Sequence, residues 1–193
     1  MCGALAEALL NDPFYQAVTI DHAADPARRQ QVLTQYCALA MEEARAVGEV
    51  QVADPHGAAL WITPQAPAAD RAKHSALRSS SLRQLLGPRG FDNYQRIYAA
   101  MEAQVPADLH SAWYLSILGV QSAARGQGLA QRLLAPTLAR ADLAGAACFL
   151  ETFNPLSVPF YRRLGFTQSV ECVDSITGCT YQLMVRAAAA HDA

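Results

Sequence analysis

The chain lacks the features that would tie it to a polyanion, a membrane or a metal. Its 193 residues carry a formal net charge of −2, which gives no reason to expect nucleic acid or an acidic lipid surface as partner. Lysine is nearly missing: Lys73 is the single one among 15 basic residues, a bias that reads as genome composition. No apolar run approaches the length of a transmembrane helix. The N-terminus has no basic segment, and Glu7 interrupts its short apolar run, so it does not read as a signal peptide. The five cysteines (Cys2, Cys37, Cys148, Cys172, Cys179) form no Cys-x-x-Cys and have no clustered histidines. They read as reduced, mostly buried residues of a cytoplasmic protein, and no metal site is expected. What remains is a chain 52% hydrophobic, enough for one substantial core. Residues 1–193 therefore read as a single domain, with 187–193 a frayed tail.

The most informative stretch is Arg125-Gly126-Gln127-Gly128-Leu129-Ala130, between an apolar run at 113–120 and an amphipathic segment at 129–143. A glycine-rich turn from strand to helix leaves backbone N–H groups unpaired at a positive helix end, a setting that suits phosphate or pyrophosphate. A side chain at 126 or 128 would hold an anion away from the backbone. A P-loop is excluded because Leu129-Ala130 follow Gly128 where Lys and Ser/Thr are required. A dinucleotide fingerprint fails because Gln131 stands where its third glycine would fall. A tight turn that merely packs helix on strand stays open.

Periodicity and breakers give an alternation of helices and strands. Helices are predicted at 3–10, 26–47, about 75–86 and about 92–104, with a Pro/Ala-rich loop at 64–72. Strands are predicted at 49–53 and 58–63 as a hairpin, at 113–120, at 146–153, and as a closing hairpin of 166–173 with 180–186. Pro136 is expected to kink the helix over 129–143. A short helix after Asn154 is predicted from Ser157 as N-cap, Pro159 in its first turn and Gly165 past its end.

Two motifs together resemble a family. Arg125-x-x-Gly128-x-Ala130, and about thirty residues on Phe160-Tyr161-x-x-Leu164-Gly165-Phe166, look like the acyl-CoA loop and the tyrosine-bearing helix of the GNAT N-acetyltransferases. Ala58-Ala59-Leu60-Trp61-Ile62-Thr63-Pro64, Trp113-Tyr114-Leu115-x-x-Leu118-Gly119-Val120 and Phe149-Leu150-Glu151-Thr152 extend the likeness toward the puromycin N-acetyltransferase branch. The resemblance implies an α/β (α+β) fold: a mixed, mostly antiparallel twisted sheet with a central splayed parallel strand pair, flanked by helices. The family's first edge strand has no room here. That would expose the strand at 49–53 and invite cover from a homodimer partner or the tail.

The resemblance also implies acetyl-CoA as co-substrate, with no metal, and transfer of an acetyl group to a primary amine of a small molecule or peptide. Backbone groups of Leu118, Gly119 and Val120 would pair with the pantetheine arm as an added strand would. Gly126, Gln127, Gly128, Leu129 and Ala130 would hold the pyrophosphate, with Arg125 adding charge; Arg132 reads better as a helix-surface arginine. Tyr161 would be the general acid, since a phenol is protonated at neutral pH. Asn154 would bond the arm or cap the next helix. Glu151, a carboxylate ending an apolar strand, is the candidate base, with a salt-bridged or capping glutamate as its alternative. His110, just before residue 113, is a weaker candidate. Tyr15, Trp61, Trp113 and Tyr114, with the neighbouring Asp12, Tyr94 and Tyr98, would wall the acceptor pocket, although core packing is the stronger reading for most of them. Two other classes stay open: a non-catalytic acyl-CoA-binding regulatory domain, and a phosphate-binding module unrelated to CoA.

Overall fold

The computed structural model describes residues 1–189, so the last four residues of the expected tail lie outside the described residues. Three helices come first: α1 (Cys2–Leu9), α2 (Pro13–Val18) and α3 (Pro26–Val47). Asp12-Pro13, just past the end of the first expected helix, starts α2, a helix not expected from the sequence. The Asp12 carboxylate accepts the Phe14 N–H at 2.9 Å and Pro13 takes the first helical position, where no N–H is needed. Asp25 and Pro26 repeat the device for α3, with Asp25 accepting the Arg28 N–H at 3.0 Å. Val32, Leu33, Tyr36, Ala40, Met41, Ala44 and Val47 then form the buried stripe of α3 at helical spacing.

The hairpin β1 (Gly48–Ala53) and β2 (Gly57–Ile62) follows, then α4 (Ala68–Glu102). The predicted loop at 64–72 gives way to helix from residue 68, because nothing but Pro64 and Pro67 forbids it. The two helices predicted beyond it are one element broken at Gly87 (φ 79°, ψ 170°), ahead of Pro88. Only glycine fits there: its backbone is left-handed, and a Cβ would fall 2.6 Å from the Asp21 carboxylate. That carboxylate accepts the N–H groups of Arg89 (2.8 Å) and Gly90 (3.1 Å), capping the second half of α4 from a distant turn.

The remainder runs β3 (Trp113–Val120), α5 (Leu129–Leu143), β4 (Cys148–Thr152), α6 (Val158–Arg163), β5 (Gln168–Val173) and β6 (Thr180–Arg186). The sheet has six strands in the order β1-β2-β3-β4-β6-β5. Only β3 and β4 are parallel; every other neighbour is antiparallel. This is the mixed, mostly antiparallel sheet expected, and among the described residues no strand precedes β1. α5 is anchored over β1 through the nearly buried Glu49, which takes a hydrogen bond from the Thr137 hydroxyl (2.8 Å) and pairs with Arg140. No described helix is long and apolar enough to cross a membrane.

What positions the site is an extra residue in β3. Against β2, Leu60 lies opposite Ile117 but Trp61 lies opposite Leu115, so Ser116 is a bulge. A bulge bends and twists its strand. It also resets the alternation of side chains. Trp113 and Leu115 pack with Leu134, Leu150 and Phe166 on one side of the sheet, whereas Ile117 packs with Leu5, Leu33 and Leu82 on the other. β3 pairs with β4 only at Trp113–Cys148 and Tyr114–Phe149, and beyond Tyr114 the two strands part.

Candidate active site

The parting strands open a cavity of about 800 Å³. One end is lined by Ser122, Arg125 and Ala130, the middle by Leu118, Gly119, Val120, Asn154 and Tyr161, the other end by Tyr15, Tyr36 and Arg78. Because Tyr161 belongs to the core with Leu150 while Tyr36 belongs to the core with Ile117, the cavity passes through the sheet. On the edge of β3 that faces the gap, residues 115–120 have no strand partner.

The loop after β3 is built as its glycines suggest. Gly126 (φ 77°) and Gly128 (φ 70°) are both left-handed, and a Cβ on Gly126 would meet nothing within 4 Å. The N–H groups of Gly126, Gln127 and Gly128 have no acceptor among the described residues, and the first turn of α5 adds more free donors. Arg125 gives its Nε to the Val120 carbonyl at 3.0 Å and reaches the Ala8 carbonyl at 3.5 Å, so it braces the loop while lining the cavity. Arg132 bonds the Gln127 carbonyl at 2.7 Å. Glu7, at first sight only an interruption in an apolar run, accepts both the N–H (3.1 Å) and the hydroxyl (2.5 Å) of Ser122 and ties α1 to this loop. An open space over free amides and left-handed glycines fits a pyrophosphate; the residues present suit CoA.

Tyr161 is 8% exposed. Its ring meets Phe160 and Phe166 edge-on, with centroids at 5.2 and 5.9 Å. Gly165 (φ 93°) ends α6 and lets the Phe166 N–H return to the Tyr161 carbonyl at 3.2 Å. Burial raises the phenol's pKa above its ordinary value, and the Asp12 charge adds to this. The phenol therefore stays protonated. Asp12 is itself pushed up to about 6 by burial, against the N–H groups of Phe14 and Tyr15. Asn154 uses its side chain as a cap: Oδ1 accepts the Leu156 N–H at 3.1 Å. It caps the single turn Pro155–Ser157 that leads into α6; Ser157 stands at the N-cap of α6 as expected, but its side chain makes no cap bond there.

Glu151 reaches the other side of the sheet beside Tyr114. Its Oε2 is shut off from solvent and has no hydrogen-bond partner among the described residues. Burial pushes its carboxyl up to about 7, against the pull of the Tyr114 phenol. Glu151 and Tyr114 line the large cavity and also a smaller one of about 180 Å³, walled by Tyr98, Phe149, Arg71 and His110. Tyr114 stacks on Phe149 at 4.8 Å.

The expected acceptor wall is met only in part. Tyr15 and Tyr114 line the large cavity, but Trp61 and Trp113 are 0% and 2% exposed and lie in the core with Leu134 and Leu150. The bulge decides this, since Trp113 and Tyr114 point to opposite sides and Trp61 sits opposite Leu115 on the α5 side. Arg78 and Tyr36 line the cavity without having been expected there. They come from the middles of two long helices, where no motif surrounds them.

A through-sheet cleft beside a left-handed glycine loop is the arrangement that the resemblance to acyl-CoA-using enzymes implies, and comparison agrees on the class. A family profile for the acetyltransferase (GNAT) domain matches residues 90–187. The chain belongs to this family and is an acyltransferase; such enzymes use acetyl-CoA as co-substrate. Its fold is similar to that of a histone acetyltransferase HPA2 and related acetyltransferase from Corynebacterium glutamicum, at 22% identity and TM-score 0.64, covering 100% of this chain and 91% of that one. It is also similar to a mosquito arylalkylamine N-acetyltransferase like 5b (16% identity, TM-score 0.54, 96% and 94% covered). An N-acetyltransferase from Staphylococcus aureus Mu50 is a further structural relative (15% identity, TM-score 0.53, 93% and 97% covered). At such identities the likeness concerns the fold.

Proposed function

We propose that the protein moves the acetyl group of acetyl-CoA to a primary amine of a small molecule or peptide by direct attack, at the gap between β3 and β4. The observation that carries the reading is one cavity presented with a protonated phenol, Tyr161, from one side of the sheet and a shielded carboxylate, Glu151, from the other. Acetyl-CoA supplies an activated acyl group. The unpaired edge of β3 around Leu118 to Val120 holds amides and the acyl oxygen, and the loop from Gly126 to Ala130 holds phosphate. Glu151 takes the proton that an ammonium must lose before its nitrogen has a lone pair, directly or through water. Tyr161 holds the proton that a departing sulfur requires. The likeness to the puromycin-type branch rests on sequence strings and does not bring puromycin with it.

Free-thiol release from acetyl-CoA, measured across small amines, polyamines, aminoglycosides, amino acids and peptide N-termini, tests the reading. Thiol release above the hydrolysis rate with at least one amine, and acetylated product by mass spectrometry, is expected. Release with none of them would overturn it.

The loop assignment has its own test. Gly126→Ala places a side chain at φ 77°, which costs about 1–2 kcal/mol of backbone strain and intrudes on the space over the amides. Affinity for acetyl-CoA by calorimetry should fall about tenfold. An unchanged affinity would remove this loop as the phosphate cradle.

A further inference from the structure

Beyond the gap, the cavity ends on a charged group that the transfer chemistry does not use. Arg78, in the first half of α4, is 11% exposed and lines this end with Tyr15 and Tyr36. Its Nη1 donates to Glu43 Oε2 at 2.8 Å, and its guanidinium lies over the Tyr36 ring, 5.0 Å from the centroid. The opposite edge is unengaged. Nε is buried, and neither Nε nor Nη2 has an acceptor among the described residues, where Nη1 alone makes a side-chain bond. A buried N–H without an acceptor is costly, and it is rare in a native protein unless a ligand or water completes it. The Nε–Nη2 edge of a guanidinium is one of the two that bind a carboxylate through parallel hydrogen bonds.

The rest of the chamber fits an organic body leading up to such a group. Tyr15 and Tyr36 are 7% and 3% exposed, their rings meet edge-on at 5.5 Å, and their hydroxyls bond no described protein group. Phe14 adds a third ring, 5.0 Å from Tyr15. The carboxyls of Asp12 and Glu151 line the same cavity, so it offers an ammonium a carboxylate and an anion a guanidinium.

We propose that Arg78 binds a carboxylate of the acceptor, so that the substrate is an amino-carboxylic acid whose apolar or aromatic body lies along Tyr15 and Tyr36. This rests on the acetyl-transfer reading above and adds the class of acceptor to it. Glu43 holds the guanidinium in place and leaves the binding edge free.

The test compares thiol release for phenylalanine with phenethylamine and for ε-aminocaproate with pentylamine, in wild type and in two variants. Arg78→Lys keeps a charge facing Glu43 and removes the planar edge. Arg78→Met combined with Glu43→Gln removes the charge without leaving a lone buried carboxylate. In wild type, kcat/KM for at least one carboxylated amine should exceed that of its plain partner about tenfold or more. The ratio should fall toward one in both variants. Plain amines equal to or better than both acids would overturn the inference and leave acetyl transfer standing. A preference that survived both variants would remove Arg78 as its source. Calorimetry with N-acetylphenylalanine and protein alone separates the two ideas from the other side. Binding that is lost in Arg78→Lys, in a protein that releases no thiol with any amine, would uphold the carboxylate site and end the transfer reading.

Discussion

Tyr161→Phe is expected to lower kcat about a hundredfold while leaving affinity for acetyl-CoA within about twofold. The size follows from what a positioned proton donor contributes, about 10²–10⁴ in rate. The separation of the two effects follows from the packing. The ring of residue 161 is held by Phe160, Phe166 and the turn at Gly165, and phenylalanine keeps all of these. Only the hydroxyl is lost, so the fold and the cradle for the cofactor persist. Steady-state kinetics with calorimetry on the same preparation measures both. Unchanged turnover would remove Tyr161 as the acid; an equal loss of affinity and turnover would make it a binding residue instead.

Glu151→Gln should show the second large effect, in the pH profile as well as in the rate. The carboxyl is raised from 4.5 to about 7 by burial, so the form able to take a proton exists above about pH 7. In wild type, kcat/KM should therefore climb as pH rises through about 7 and then level until the substrate amine's own titration enters. In Glu151→Gln the step near 7 should vanish and the plateau should fall about a hundredfold. Stability carries the same group with the opposite preference. The fold favours the protonated acid and the unfolded chain does not, so wild type loses stability as pH climbs from about 4.5 to 7, and Glu151→Gln is spared that loss. Thermal melts at pH 5 and pH 8 should show the variant gaining on wild type at the higher pH. A step near pH 7 that persisted in the variant would assign it to another group.

The loop and the tyrosine helix were legible because their signals are local. Gly126, Gly128 and Gly165 mark left-handed backbone that few other residues adopt, and the stops and starts around them follow from single residues. α2 and the joined halves of α4 were not legible for the same reason inverted. Asp12 and Pro13 end one helix and begin the next, and the cap on the second half of α4 comes from Asp21, far away in sequence. The splay between β3 and β4 was expected by resemblance, but its cause, the bulge at Ser116, has no mark in the sequence. The tryptophans show the consequence: Trp113 and Tyr114 are adjacent, and one faces the core while the other faces the cavity.

The amino-acid order alone determined the chemistry on offer: free amides after Val120, a phenol at 161, a carboxylate out of place at 151. Those are properties of short segments and of residue types, and they need no distant partner. Tertiary structure decided which of these groups share one space and which groups join them. Arg78 and Tyr36 reach the cavity only because α3 and α4 pack together on one side of a sheet that has opened. The raised carboxyl of Glu151 likewise exists only once folding has taken water away from it, since burial is a property of the assembled molecule and not of any stretch of chain.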